Sequence, residues 1–135
     1  MNDLFMKWRP DFNLGIKEID EQHKKIVELI NTLNEAFMKN VAQQKLGQIL
    51  DEMAAYADYH FKTEEALFTR NHFPFSKEHI AMHQHFKKKV EDFKDKFEKG
   101  QPITFRVLSF LRQWLTNHIL DADREYAALV KSKEE

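Results

Sequence analysis

An all-α protein, an antiparallel up-down-up-down four-helix bundle with an irregular N-terminal arm, is predicted from three features of this 135-residue sequence. Glycine and proline number three each, too few for a chain built on turns. Apolar residues recur at three- and four-residue spacing through four long segments. The breaks between those segments are short, and short connections force consecutive helices to run in opposite directions.

Residues 1–15 contain Pro10 and Gly15 and read as the irregular arm, with Trp8, Phe12 and Leu14 available for packing. Residues 16–130 carry the bundle, and the whole chain reads as one domain. From Ile16 to Phe37 the stripe is Ile16, Ile19, Ile26, Ile30, Leu33 and Phe37, with His23 inside it. The second segment, from Ala42 to Thr69, aligns Leu46, Ile49, Leu50, Met53, Ala57, His60, Glu64 and Leu67. Pro74 marks a break, and Ser76 is expected to cap the third helix, whose stripe is His79, His83, Phe86, Val90, Phe93 and Phe97. Gly100 and Pro102 follow in the order of a helix stop. Thr104 is expected to cap the fourth helix, with Leu108, Leu111, Leu115, His118, Ala122, Tyr126 and Leu129 inward. The tail from Lys131 is expected to fray.

The balance of 21 basic and 22 acidic residues gives no electrostatic reason to expect nucleic acid or an anionic membrane as partner. The chain has no cysteine, which excludes disulfides, thiolate metal sites and thiol catalysis. The first ten residues lack a signal-peptide core, and no apolar run is long enough to span a bilayer. A cytoplasmic protein without membrane insertion, and a monomer, is expected.

The placement of the seven histidines carries the functional signal. One histidine on an apolar face is ordinarily a core residue with a local hydrogen bond. Here five, His23, His60, His79, His83 and His118, fall on the inward stripes of all four helices. Burying each without a partner would cost roughly 1–3 kcal/mol, a sum comparable to the stability of a small domain. A metal centre compensates directly. Residues four apart lie only about 40° apart around a helix, so His60 with Glu64, and His79 with His83, each project to one side. His23 and His79 come early in their helices, His60 and His118 late, so an up-down-up-down arrangement gathers them at one end.

The fourth helix offers two carboxylates near His118. Asp121, at i+3, suits regular geometry. Asp123, at i+5, lies about 140° away and would need a local widening such as one π-type turn. Spacing does not choose between them. Imidazole and carboxylate without thiolate suit Fe, Zn, Mn or Cu. Seven ligands exceed the needs of one ion and suit two. Carboxylate-rich di-iron bundles use Glu-x-x-His pairs, which are absent here, so this site is rich in neutral imidazole. That composition favours O₂ binding over O–O cleavage.

These residues resemble the hemerythrin family, most closely its stand-alone bacterial members, over nearly the whole chain. The resemblance runs through Trp8, Leu14-Gly15-Ile16, Ile19-Asp20-Glu21-Gln22-His23, His60-Phe61-Lys62-Thr63-Glu64-Glu65, and His79 and His83 after Pro74. It continues through Trp114-Leu115-Thr116-Asn117-His118-Ile119 to Asp123. It implies two non-haem irons, one bound by His79, His83 and His118 and the other by His23 and His60. Glu64, Asp123 and a solvent-derived oxo or hydroxo group would bridge them. The family pattern selects Asp123 and leaves Asp121 as a surface charge. It also implies a dry O₂ pocket walled by Ile26, Phe61, Trp114, Leu115 and Ile119, with Tyr126 as a candidate hydrogen-bond partner of a ligand. His72 and His85 have no place in the set and are expected in solvent.

The function implied is reversible dioxygen binding for transport, storage or delivery to an oxygen-consuming client enzyme, without catalysis. The competing readings are a di-iron peroxidase or scavenger of nitric oxide or peroxide, an O₂ or redox sensor acting through a separate partner, and a zinc-binding structural bundle.

Overall fold

The structure, a computed structural model, describes residues 5–134, with side chains as far as Val130. Helix α1 spans Lys17–Met38, α2 Ala42–Asn71 and α3 Ser76–Glu98; the fourth rod comprises α4 (Thr104–Asn117), a π-helical turn (His118–Asp123) and α5 (Arg124–Glu134). These are the four helices expected, joined by short connections. The last rod runs on to Glu134, so the expected fraying from Lys131 is not observed.

The stripes meet in one core. Ile19, Ile30, Leu33, Leu46, Met53, Val107 and Leu115 are all fully buried. Phe37 departs from the expectation: at 38% exposed it lies on the rim, beside the Phe105 ring at 6.4 Å.

Helix termini are built largely from backbone. Ser76 and Thr104 are the first residues of their helices rather than the caps; the cap positions fall to Phe75 and Ile103, and no side chain caps either end. The His79 amide already bonds the Phe75 carbonyl at 3.1 Å, and Val107 bonds Ile103 at 3.0 Å. Ile103 is itself buried, so packing rather than capping chemistry sets where α4 begins.

The C-terminal ends of α1, α2 and α3 share one device. After α1, Val41 N–H bonds the Ala36 carbonyl and Asn40 N–H bonds Phe37; after α2, Phe73 bonds Phe68 and His72 bonds Thr69; after α3, Gln101 bonds Lys96 and Gly100 bonds Phe97. Each is a paired closure around one left-handed residue: Asn40 (φ 59°), His72 (φ 53°) or Gly100 (φ 79°). At α2 the closure brings Phe73 onto Phe68, with ring centroids 5.2 Å apart.

The arm is tied down. Met6 and Asn31 exchange two hydrogen bonds, at 2.9 and 2.8 Å. The Asp20 carboxylate accepts from the amides of Leu14 (2.9 Å) and Gly15 (3.1 Å). A short 3₁₀ turn, Pro10–Phe12, buries Phe12, and Arg124 donates to the Asp11 carbonyl just past the π-helical turn.

A left-handed conformation costs a residue bearing a Cβ roughly 1–2 kcal/mol, a cost glycine avoids. His72→Gly is therefore expected to raise stability by about 1 kcal/mol in urea denaturation without changing metal content. A loss of stability would show that the imidazole contributes more than the backbone geometry implies.

Candidate metal centre

Four rods deliver seven polar side chains to one buried point. His23 comes from α1, His60 and Glu64 from α2, His79 and His83 from α3, and His118 and Asp123 from the π-helical turn. None is more than 3% exposed. The turn brings Asp123 rather than Asp121 to this point. Its widened bonding, with Arg124 N–H reaching the Ile119 carbonyl five residues back, rotates Asp123 inward to full burial. Asp121 points outward and is exposed.

The ring nitrogens converge on the two carboxylates. One Asp123 oxygen, Oδ2, lies 2.7 Å from His23 Nε2 and 2.9 Å from His118 Nε2, while Oδ1 lies 2.8 Å from His79 Nε2. Glu64 Oε1 lies 3.1 Å from both His60 and His118 Nε2 and 3.2 Å from His83 Nε2. Two overlapping groups emerge, His23, His60, Glu64, His118 and Asp123, and Glu64, His79, His83 and His118, each with ligand atoms within 4.8 Å of one another. His118 and Glu64 belong to both.

These contacts do not amount to a satisfied hydrogen-bond network. His60, His79 and His83 Nε2, Glu64 Oε2 and Asp123 Oδ1 are buried without a hydrogen-bond partner, although charged or polar atoms lie close. The outer edges of two rings explain why. His83 Nδ1 bonds Glu65 Oε2 at 2.9 Å, and His60 Nδ1 bonds Gln22 Oε1 at 2.7 Å. Each acceptor holds the proton of a neutral ring on Nδ1, so the bare Nε2 faces a carboxylate oxygen inside. Lone pair against lone pair is repulsive unless a cation lies between.

The electrostatics favour the ligating forms at His23, His79 and Glu64 and oppose them at His60 and Asp123. Burial pushes His23 well below its ordinary pKa, with His60 adding to it, and burial lowers His79 to about 3. Burial opposes ionisation of Glu64, yet His60 and His118 outweigh it and hold the carboxyl well down. Burial and the adjacent Glu64 push Asp123 well up. Burial alone would lower His60, but Glu64 and Asp123 raise it; the field that draws a proton to that ring draws a cation equally. Neutral imidazoles and ionised carboxylates are the forms that ligate, and a divalent cation would stabilise both. The donor set fits a metal such as iron.

The family model described as the hemerythrin HHE cation binding domain matches residues 14–130. A bacteriohemerythrin of Stenotrophomonas maltophilia is 35% identical over 125 residues, covering 93% of this chain and 81% of its own. One from Clostridium acetobutylicum is 34% identical over 125 residues, covering 88% and 96%. A crystal structure of wild-type hemerythrin superposes with a TM-score of 0.83 at 29% identity, covering 93% of this chain and 97% of that one. The chain belongs to the hemerythrin family. Membership implies a non-haem iron site, and the buried cluster is where this hemerythrin could hold it.

The expected pocket residues Ile26, Phe61, Leu115 and Ile119 are buried, while Trp114 is half-buried and stacks on His118 at 4.5 Å. Phe61 stacks on His83 at 3.9 Å. The Tyr126 hydroxyl, expected to bond a ligand, is buried without a hydrogen-bond partner; burial and the Glu64 carboxylate hold it protonated. His72 and His85 are exposed, as expected. Sequence reasoning missed Gln22 and Glu65. Gln22 was detectable: it stands three residues after Ile19 and four before Ile26, a polar residue on an apolar stripe.

Free ferrous iron at about 100-fold its Kd is expected to stabilise the fold by about 2.7 kcal/mol. Anaerobic melting with and without iron, and again after a chelator, measures this. An unchanged Tm would count against a metal at the cluster.

Proposed function

We propose that this hemerythrin binds dioxygen reversibly at a di-iron centre, for transport, storage or delivery to an oxygen-consuming partner. The observation that carries the reading is the convergence of five imidazoles and two carboxylates, with unpartnered inward-facing atoms, in a shell of apolar side chains.

In this reading His79, His83 and His118 would hold one iron and His23 and His60 the other, with Glu64 and Asp123 available to both. Asp123 suits that role, since its two oxygens face different imidazoles, Oδ2 toward His23 and Oδ1 toward His79. When bound, the ferrous pair supplies the electrons and the open position that O₂ requires. The chain contributes geometry and dryness. Ile26, Phe61, Leu115 and Ile119 exclude water from the cluster. Trp114 and Phe61 hold the His118 and His83 rings in plane. A surface groove bordered by Met82, His85, Trp114 and Asn117 reaches His118 and offers a small molecule an approach.

The imidazole-rich donor set favours binding over catalysis, and no helix among the described residues is long and apolar enough to cross a membrane. The test is to load the protein with ferrous iron, confirm two irons per chain, and admit air. A visible oxy spectrum that reverses under vacuum is expected. Immediate, irreversible conversion to the diferric form would replace the carrier reading with an oxidase or peroxidase. His118→Ala is expected to abolish the di-iron optical bands while keeping most of the helicity by circular dichroism; intact bands would contradict the ligand assignment.

A further inference from the structure

Gln22 is almost wholly buried, and its amide has two ends with opposite chemistry. Oε1 accepts from a protonated His60 Nδ1 at 2.7 Å, and Nε2 donates to Thr63 Oγ1 at 3.2 Å. Nothing in the amide itself prefers this orientation. Turned over, it would present N–H₂ to His60 Nδ1. The ring proton would then move to Nε2, and the nitrogen facing the cluster would be closed to a metal ion.

Thr63 decides between the two orientations. Its hydroxyl proton is committed to the Tyr59 carbonyl, one turn back on α2, at 3.1 Å. The oxygen can then only accept from Gln22, so the Gln22 N–H₂ must point to Thr63 and its carbonyl to His60. The relay runs from the Tyr59 carbonyl through Thr63 and Gln22 to the His60 ring, crossing from α2 to α1 and back. His83 needs no such device. Its acceptor is the Glu65 carboxylate, which accepts whichever way it is turned.

We propose that Thr63 is a positioning residue of the metal centre: by orienting the Gln22 amide it fixes the tautomer of His60 and keeps Nε2 free to bind the ion. The inference rests on the metal-binding reading above but is independent of whether that metal carries O₂. Thr63 is half-buried and touches no member of the cluster through a hydrogen bond, so it acts only through Gln22.

The test uses the full chain loaded with ferrous iron under argon and challenged with graded concentrations of an iron chelator. Outer partners of a metal-bound histidine are typically worth about 10- to 100-fold in affinity. Thr63→Val, which keeps the shape but removes the hydroxyl, is expected to weaken one of the two ions by about that factor, and Thr63→Ser to restore it. Gln22→Met, which removes the amide, should show a loss of the same size, with no further loss when Thr63→Val is added. In a Gln22→Glu background, where the acceptor has no amide to orient, Thr63→Val should be silent. Circular dichroism controls for folding, and Gln22→Met reports the same step should Thr63→Val not fold. Retention of both ions by Thr63→Val, or an equal loss in the Gln22→Glu background, would overturn the relay while leaving the metal centre standing. A wild-type chain that holds no iron would overturn both.

Discussion

Two buried carboxylates and five buried imidazoles at one level of a bundle constrain everything around them. Hydrophobic packing supplies the rods but cannot compensate such a cluster, since polar groups removed from water need partners. The partners inside are incomplete, because the acceptors outside, Gln22 and Glu65, take the ring protons that would have served Glu64 and Asp123. A cation would supply what the protein withholds. The core on the far side of the cluster, around Leu33, Leu46, Leu50 and Met53, is ordinary by comparison and holds four rods in register so that the seven side chains meet.

The π-helical turn follows from the same constraint. A regular helix would aim Asp123 away from His118, and Asp121 would be the nearer carboxylate. Widening one turn buries Asp123 and re-aims the rest of the rod, so that Tyr126, Ala127 and Val130 still face the core. Such a turn sacrifices regular bonding and must be held from outside. The arm does part of this: its 3₁₀ turn packs against the widened segment, and Arg124 reaches the Asp11 carbonyl. The 3₁₀ turn of the arm thus supports the segment that carries His118 and Asp123.

Helix number, order and inward stripes were legible in the sequence because the apolar period is nearly unbroken, and six of the seven cluster residues, all but Asp123, were legible because polar groups interrupt that period at matching heights. What was not legible depends on tertiary contact. Ser76 and Thr104 have the composition of caps, yet backbone bonding from Phe75 and Ile103 starts both helices one step earlier. His72 was expected in solvent and lies there, but its left-handed position closing α2 carries no mark in the apolar period. Phe37 fits the stripe of α1 but lies near the helix end, where no opposing rod covers it fully. Asp121 and Asp123 could not be separated by period alone, because a widened turn breaks the period used to judge them.

The two outer acceptors differ in a way that bears on the chemistry. Glu65 is a carboxylate, partly open to solvent; Gln22 is a neutral amide and buried. A carboxylate draws the ring proton more strongly than an amide, so His83 becomes the more electron-rich donor and His60 the less. Under the proposed assignment the two irons would therefore be unequal before any O₂ arrives. The three-histidine iron would carry the more basic ligand. An iron held by His23 and His60 would carry the weaker one. A neutral acceptor at Gln22 also keeps negative charge away from the pocket side of the cluster, where Ile26 and Ile119 exclude water. A neutral partner must be oriented, whereas a carboxylate need not be, and this is the physical reason the amide comes with a threonine.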